Sequence, residues 1–350
     1  MDLSEHTVAS LERELENEGF KASHAGPLLR SHYRVDHAGV PNGRSFPPEL
    51  ARRLAEHRER RQSAILSRRV SGDGTTKLLL RLGDSRTVES VLMPDYREDR
   101  AAGCISSQVG CAMGCDFCAT TKSGFERNLT PAEMVEQFLA LRHEAGLVKR
   151  KLQTLVFMGM GEPMLNLESV CAAISRIADN ATGALGFRQV TVSTVGIVQG
   201  IDALAQSGLN VHLAVSLHAP DDATRARLLP TGRRFGVDDI LSAADRYQAR
   251  TARPVSIQYC LLKEVNDSPD QARQLAALVG GRRMHVNLLS YNPTGLSLRG
   301  ETYAPSTEQA TDTFLSILRE RGVVAHIRRS RGPDIDAACG QLRRRAGAVQ

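Results

Sequence analysis

Short strand-like and helix-like segments alternate along the chain from about residue 105, and no other feature restricts the possible folds as strongly. The strand candidates are β-rich runs bounded by turn residues, at about 102–107, 154–158, 189–194, 211–217, 255–262 and 285–290. The helix candidates between them include 168–178, 237–250, 269–279 and 307–321. Repeated strand–helix units predict an α/β fold with a parallel sheet and right-handed crossovers. About six units suit a partial (β/α)6 TIM-like barrel with functional residues at the carboxyl ends of its strands, and a doubly wound sheet is the alternative.

The clearest helix signal begins at Thr130. Thr130 can cap the helix, Pro131 suits its first turn, and Glu133 can complete a capping box. The apolar residues that then recur at helical spacing are Met134, Phe138 and Leu141. A helix is therefore expected directly after Thr130.

Residues 1–95 follow a different pattern, with charged helical segments first and two strand-like runs later. The two runs, 76–82 and 87–93, are joined by the turn residues Gly83, Asp84 and Ser85. We interpret 1–95 as a small N-terminal accessory domain that precedes a core of residues 96–325.

Composition limits the class of protein. The 350 residues are 41% hydrophobic and 24% charged, which is typical of a globular protein. No apolar run of about 18 residues is present, so no membrane span is expected. The first residues lack the apolar segment of a secretory signal, and a cytoplasmic location is expected.

The chain is basic, with a formal net charge of +6, and its arginines are clustered. One cluster contains Arg52, Arg53, Arg58, Arg60, Arg61, Arg68 and Arg69, and the other contains Arg328, Arg329, Arg331, Arg343, Arg344 and Arg345. Such clusters are typical of RNA contact and equally of a solvated surface. Charge alone leaves both interpretations open.

Four of the seven cysteines lie in one short stretch, Cys104, Cys111, Cys115 and Cys118. The last three have the spacing C-x3-C-x2-C in a loop that contains glycine. Cysteine thiolates are the usual ligands of iron–sulfur clusters, and three ligands on a [4Fe–4S] cube leave one iron open to bind a further molecule. Structural zinc favours four ligands, commonly in C-x2-C pairs, and a redox pair needs only two. The spacing therefore favours a [4Fe–4S] cluster.

Around these cysteines the sequence resembles the RlmN/Cfr family of radical S-adenosylmethionine RNA adenosine methyltransferases. The similar segments are CISSQVGC at 104–111, GFERNL at 124–129, MGMGEP at 158–163, SLH at 216–218 and DIDAACGQL at 334–342. They occur in order over most of the chain. The resemblance implies a radical SAM barrel, a [4Fe–4S] cluster on Cys111, Cys115 and Cys118, and two molecules of S-adenosylmethionine per turnover. It also implies an RNA substrate, 23S ribosomal RNA and/or transfer RNA, an electron donor such as flavodoxin, and a monomer with no membrane partner.

The resemblance also implies roles for two further cysteines and a glutamate. Adenine carbons 2 and 8 are electron-poor, so a radical route to their methylation is needed. Cys339, in a C-terminal tail of residues 326–350, matches the cysteine that first accepts the methyl group. Cys104 matches the cysteine that resolves the protein–RNA adduct through a transient disulfide with Cys339, and Glu89 matches the proton acceptor.

The family positions that hold S-adenosylmethionine correspond to Gly161, Glu162, Ser193, Ser216, Leu217, His218 and Asn292. Cys171 and Cys260 have no counterpart in this chemistry, and we expect them to be small buried side chains.

Details of the sequence resemble the RlmN branch, which methylates adenine carbon 2. Tyr291 stands where tryptophan is commoner in that branch, and the N-terminal region matches poorly. The identity of the RNA therefore stays open. Methylation of carbon 8, as in the Cfr branch, and a radical enzyme with a non-RNA substrate are the alternatives.

Overall fold

The computed structural model describes residues 2–34, 46–59, 63–180, 182, 184–230 and 234–343. The strands are β1 (Ala64–Val70), β2 (Thr76–Arg81), β3 (Thr87–Pro94), β4 (Arg100–Cys104), β5 (Gln108–Gly110), β6 (Phe125–Asn128), β7 (Lys151–Phe157), β8 (Val190–Thr194), β9 (His212–Ser216), β10 (Val255–Leu261), β11 (Met284–Ser290) and β12 (Val324–Arg328). The helices are α1 (Val8–Asn17), α2 (Ala25–His32), α3 (Pro48–Glu59), α4 (Pro131–Leu147), α5 (Leu167–Ile177), α6 (Val198–Gln206), α7 (Asp222–Leu228), α8 (Val237–Thr251), α9 (Pro269–Val279) and α10 (Glu308–Glu320).

One ten-stranded sheet runs through the described residues in the order β1-β2-β3-β4-β7-β8-β9-β10-β11-β12, and β5 pairs with β6 beside it. The segment from β4 to β12 is parallel throughout. The six predicted strand–helix units are present, and the α/β prediction is confirmed. A seventh parallel strand, β12, follows them and was not predicted from the sequence. Because β1 and β12 are edges, the sheet stays open, as a partial barrel requires.

The N-terminal hairpin continues this sheet. The strands β2 and β3 pair antiparallel at the predicted positions, and β1, which the sequence did not predict, pairs with β2. The pairing of β3 with β4 places Val91 opposite Cys104, so the sheet crosses residue 95 without interruption. The hairpin is thereby attached rigidly to the strand that leads into the cysteine loop.

The helix predicted after Thr130 is α4, and its N-terminal cap has the predicted hydrogen bonds. The Thr130 hydroxyl accepts from the Glu133 N–H at 3.2 Å, and the Glu133 carboxylate accepts from the Thr130 N–H at 2.8 Å. Met134, Phe138 and Leu141 are fully buried between this helix and the sheet. The capping box and the apolar stripe therefore fix the helix on the sheet beside β4 and β7.

The arginine clusters are partly neutralised by acidic neighbours. Arg52 pairs with Glu49 and Glu56, and Arg68 pairs with Glu144. In the second cluster, Arg331 lies over the exposed ring of Tyr96, 5.9 Å from its centroid. Arg60, Arg61, Arg344 and Arg345 lie outside the described residues, as does the side chain of Arg58.

Among the helices in the ranges given above, none is both long and apolar enough to cross a bilayer.

Candidate metal centre and its surroundings

The cysteine loop leaves the sheet after β5 through a turn that only glycine can make. Gly110 has a φ of +77°, and a Cβ atom on it would lie 1.8 Å from the carbonyl oxygen of Gly124. The next N–H, that of Cys111, donates to the same carbonyl at 3.0 Å. The β5–β6 hairpin thus fixes the start of the C-x3-C-x2-C segment.

The three motif cysteines lie close enough to influence one another's charge. Burial, with a contribution from a negative charge on Cys118, raises the pKa of Cys111 to about 12. Burial raises the pKa of Cys115 strongly, and charges on Cys118 and Cys111 add to this effect. The ionisation of Cys111 and Cys115 is opposed by burial and by neighbouring negative charge, so their thiolates need a positive partner, which a metal centre supplies.

The spacing of these thiols bears on the kind of metal centre. In the described part of the chain, no group of three or more His, Cys, Asp and Glu side chains could hold a metal ion. Ligands of one zinc ion must converge on one point, whereas each thiolate on a [4Fe–4S] cube binds a different iron. The C-x3-C-x2-C segment supplies three thiols and no fourth, which favours an iron–sulfur cluster over structural zinc.

Gly161 and Glu162 follow β7 and pack directly against the cysteine loop. A Cβ atom on Gly161, whose φ is +101°, would lie 2.5 Å from the Cβ of Gln108. The Glu162 carboxylate accepts from the N–H groups of Met164 at 3.1 Å and Val195 at 2.9 Å. Burial raises its pKa to about 7. The pair therefore places a buried carboxylate at the start of the site that the sequence predicts for S-adenosylmethionine.

The predicted residues on β8 and β9 lie at neighbouring strand ends. The hydroxyl oxygens of Ser193 and Ser216 are 3.5 Å apart. Leu217 and His218 follow directly and are buried, and His218 has a φ of +60°. Its Nδ1 accepts from the Cys260 N–H at 2.9 Å, and burial lowers the pKa of His218 to about 3. His218 is therefore neutral and fixed in orientation.

Arg225, on α7, is a buried cation that sequence reasoning missed. Its guanidinium donates to the carbonyl oxygens of Ser216, Leu217 and Val195, which end two strands. Its Nε has no hydrogen-bond partner among the described residues. Burial lowers its pKa to about 10, so the side chain is still protonated at neutral pH and interacts with Cys115. The sequence around it gives no sign of burial.

The start of the C-terminal tail is fastened to the turn between β1 and β2. The Gly332 N–H donates to the Asp73 carboxylate at 3.1 Å, and the Ser71 hydroxyl donates to the Asp334 carboxylate at 2.5 Å. The unpredicted β1 thus holds the tail at its point of entry.

The end of the tail is fastened to the cysteine loop. The Ala119 N–H donates to the carbonyl of Gly340 at 2.7 Å, and the Thr120 hydroxyl donates to the carbonyl of Leu342 at 2.6 Å. These bonds flank Cys339 on its C-terminal side and bring it to the residues that follow Cys118.

Four thiols lie near one another where the tail passes the cysteine loop: Cys104, Cys118, Cys260 and Cys339. Cys339 is exposed as a residue, but protein atoms surround its thiol. This burial raises the pKa of Cys339, and a charge on Cys118 contributes to the shift. Burial raises the pKa of Cys104, with a contribution from Cys339. Burial also raises the pKa of Cys260, with contributions from Cys339 and Cys118. All seven cysteines are free thiols in the structure.

Glu89 lies on β3, buried between the hairpin and the tail. Its Oε1 is 3.0 Å from the Nζ of Lys77, and its Oε2 accepts from the Arg343 N–H at 2.8 Å. Burial raises the pKa of Glu89, and Lys77 opposes that shift. The predicted proton acceptor is therefore in direct contact with the tail that carries Cys339.

Three further residues singled out from the sequence are Asn292, Cys171 and Cys260. Asn292, in the loop after β11, is buried, and its amide donates to the carbonyl of Ser290 at 3.4 Å. Cys260 is buried on β10, as expected, whereas Cys171 is only half-buried on α5. The proximity of Cys260 to Cys339 was not predicted.

The comparisons with known proteins agree on the class. Residues 105–276 match the family model of the radical SAM superfamily. A radical SAM methyltransferase from Sphaerobacter thermophilus has the same fold, with a TM-score of 0.91 and 39% identity over 98% of this chain and 99% of that chain. Fold and cysteine loop together define a radical SAM methyltransferase, and the predicted partial barrel is confirmed.

Curated relatives narrow the class further. A probable dual-specificity RNA methyltransferase RlmN from Opitutus terrae is 65% identical over 99% of this chain and 98% of its own length. A probable RlmN from Thermosynechococcus vestitus is 42% identical over 98% of both. The chain belongs to the RlmN family. That family implies a [4Fe–4S] cluster and S-adenosylmethionine, and the three thiols of the C-x3-C-x2-C segment fit such a cluster.

Removal of one motif cysteine should remove the cluster. Anaerobically reconstituted protein should hold about four iron atoms per chain, and Cys115→Ala should hold almost none, because two thiolates leave a cube poorly anchored. Iron and sulfide analysis with the visible absorption spectrum measures this. Cys171→Ala is the matched control and should keep its full iron content. Normal iron in Cys115→Ala would contradict the assignment.

Proposed function

We propose that this protein methylates an aromatic carbon of an adenosine, C2 in preference to C8, in 23S ribosomal RNA and/or transfer RNA. The names of its RlmN relatives, dual-specificity RNA methyltransferases, support an RNA substrate. RNA presents such a carbon only when the base is unstacked or flipped, since a duplex hides it.

The observation that carries the proposal is the position of Cys339. Cys339 lies near both Cys118 and Cys104, since a charge on Cys118 raises the pKa of Cys339 and a charge on Cys339 raises the pKa of Cys104. A radical enzyme without a methyl-carrying cysteine has no need for a thiol at that place. The contacts of the tail with Ala119 and Thr120 maintain the arrangement.

Cys111, Cys115 and Cys118 hold the cluster in this scheme, and Glu162, Ser193, Ser216, Leu217, His218 and Asn292, with the backbone of Gly161, hold S-adenosylmethionine. The bound cluster and S-adenosylmethionine supply the one-electron chemistry. Cys339 first takes a methyl group from S-adenosylmethionine. Its S–C bond forms as the thiol proton leaves, the methyl–sulfonium bond of the donor breaks, and S-adenosylhomocysteine departs. The sulfonium charge of the donor favours the thiolate that this step requires.

The remaining steps use Glu89 and Cys104. A hydrogen atom passes from the methyl group to the 5′-deoxyadenosyl radical that the second S-adenosylmethionine would supply. The resulting carbon radical adds to the base, and the odd electron of the adduct would return to the oxidised cluster. Glu89 accepts the proton from the attacked carbon. Cys104 then attacks the sulfur of Cys339, so that an S–S bond forms, the S–C bond breaks, and the released carbon takes up a proton to become methyl. Two molecules of S-adenosylmethionine are used, one as methyl donor and one as radical source.

The proposal has further parts that concern the whole protein. An electron donor such as flavodoxin would reduce the cluster, and the enzyme would act as a cytoplasmic monomer. Residues 1–95, 96–325 and 326–350 would serve as accessory domain, radical core and methyl-carrying tail. The shared sheet and the fastened tail support a close cooperation of the three.

Mass spectrometry of RNA nucleosides from deletion and complemented cells tests the function. We expect 2-methyladenosine to disappear on deletion and to return with the wild-type chain but not with Cys339→Ala. Loss of 8-methyladenosine instead would move the proposal to C8. Unchanged RNA in the deletion strain would indicate a radical enzyme with a non-RNA substrate.

A further inference from the structure

Lys77 is a buried lysine to which the proposed chemistry gives no role. The side chains of Lys77 and Glu89 are only 9% and 8% exposed. The Lys77 Nζ lies 3.0 Å from Glu89 Oε1, and it also donates to the carbonyl of Asp336 at 3.0 Å. A buried ammonium group is costly unless it is paired, and here both partners belong to the site.

The Lys77–Glu89 pair contacts the tail on both sides of Cys339. Asp336 lies before Cys339 and is bound by Lys77, and Arg343 lies after it and donates its N–H to Glu89 Oε2 at 2.8 Å. The two ends of the methyl-carrying segment therefore meet on one ion pair. Neither contact could be read from the sequence, since the pair and the tail are far apart along the chain.

We propose that Lys77 is a positioning residue, which keeps Glu89 ionised as a proton acceptor and holds the segment that carries Cys339. This inference rests on the proposed function, because it assigns the environment of the proposed base. One side chain would then set both the charge of the acceptor and the place of the methyl carrier.

The charges around Glu89 support this assignment. Lys77 faces it from β2, and Asp336 and Arg343 face it from the tail, where these two also contact each other at 3.8 Å. Burial and Asp336 raise the pKa of Glu89, whereas Lys77 and the Arg343 N–H lower it. Without Lys77 the carboxyl would be buried without its cationic partner, and its pKa would rise further.

Lys77→Met tests the assignment through the pH profile. Single-turnover methylation of RNA by enzyme already methylated on Cys339 isolates the steps in which Glu89 acts. Because the rate needs ionised Glu89, it rises with pH, and loss of Lys77 should move this rise upward by roughly 1–3 pH units. At neutral pH the rate should fall about 100-fold, the scale of a lost general base.

Lys77→Arg is the matched control, since it keeps the charge. It should restore the wild-type position of the pH profile, although its rate can differ. A merely structural role would lower the rates of both variants at every pH and leave the profile in place, and that result would overturn the inference.

A second measurement does not depend on RNA. Thermal unfolding of Lys77→Met, Glu89→Gln and the double variant measures the coupling of the pair. We expect the double variant to be more stable than Lys77→Met alone, because no carboxyl is left unpaired. Additive losses would overturn the ion pair itself, whereas wild-type protein that leaves adenosine unmethylated would overturn the proposed function only.

Discussion

RNA methylation should fall to background in Cys339→Ala, by more than about 1,000-fold, while reductive cleavage of S-adenosylmethionine continues. The substitution removes the only atom that can carry the methyl group in the proposed scheme. Cys339 is exposed, and its loop is held by backbone contacts of Gly340 and Leu342, so the fold should survive. Release of 5′-deoxyadenosine and of methylated nucleoside, measured in the same reaction, separates the two activities.

Two controls distinguish loss of the methyl carrier from loss of the radical site. Intact mass of the wild-type protein purified from cells should show one added methyl group, and Cys339→Ala should show none. Cys171→Ala, whose half-buried thiol lies on α5, should behave as wild type in both assays. Methylated RNA from Cys339→Ala would contradict the carrier role, and loss of 5′-deoxyadenosine would show that the variant has lost its radical site as well.

The sequence was most informative where local chemistry determines structure. The capping box at Thr130 predicts α4, and the motif cysteines predict a loop that turns at Gly110 and Gly114. The alternation of strands and helices predicts a parallel sheet, because a strand that returns after a helical crossover runs in the same direction as the one before it. Each of these signals depends on neighbouring residues, and each was confirmed.

Four strands were not predicted from the sequence: β5 and β6, which form a short separate pair, and β1 and β12, which are the edges of the large sheet. The strand β1 is exposed over most of its length and carries Arg68 and Arg69, so it lacks the buried run or alternation of a central strand. The strand β12 is short and largely exposed. Their pairing comes from the sheet beside them, which local propensity does not contain.

The roles of Lys77 and Arg225 were not predicted from the sequence for a related reason. Lys77 precedes the leucine run of β2 and reads as a solvated strand end, and Arg225 reads as a solvated position on a helix. Both are buried because distant segments close over them, the tail over Lys77 and the strand ends over Arg225. Only tertiary contact separates such residues from the many surface lysines and arginines of this basic chain.

Cys104→Ala should accumulate a covalent protein–RNA species during turnover. In the proposed scheme the adduct on Cys339 is released only when a second thiol attacks its sulfur. Cys104 is buried beside Cys339, opposite Val91 in the sheet, where alanine can replace it with little change in packing. The adduct should appear as a shifted band in a denaturing gel after incubation with RNA, and nuclease digestion followed by mass spectrometry should place it on Cys339.

Cys260→Ala tests whether Cys104 alone can resolve the adduct or whether any thiol near Cys339 can do so. Cys260 is also a buried thiol near Cys339, and burial raises the pKa of both Cys104 and Cys260, so neither is intrinsically the better nucleophile. If Cys104 resolves the adduct, Cys260→Ala should release methylated RNA normally, and only Cys104→Ala should trap it. A trap in Cys260→Ala would transfer the resolving role to β10. If Cys104→Ala released normal product and trapped no adduct, Cys260 would have replaced Cys104 as the resolving thiol. The variant that lacks both thiols should then trap the adduct. If it did not, release by a thiol would be contradicted.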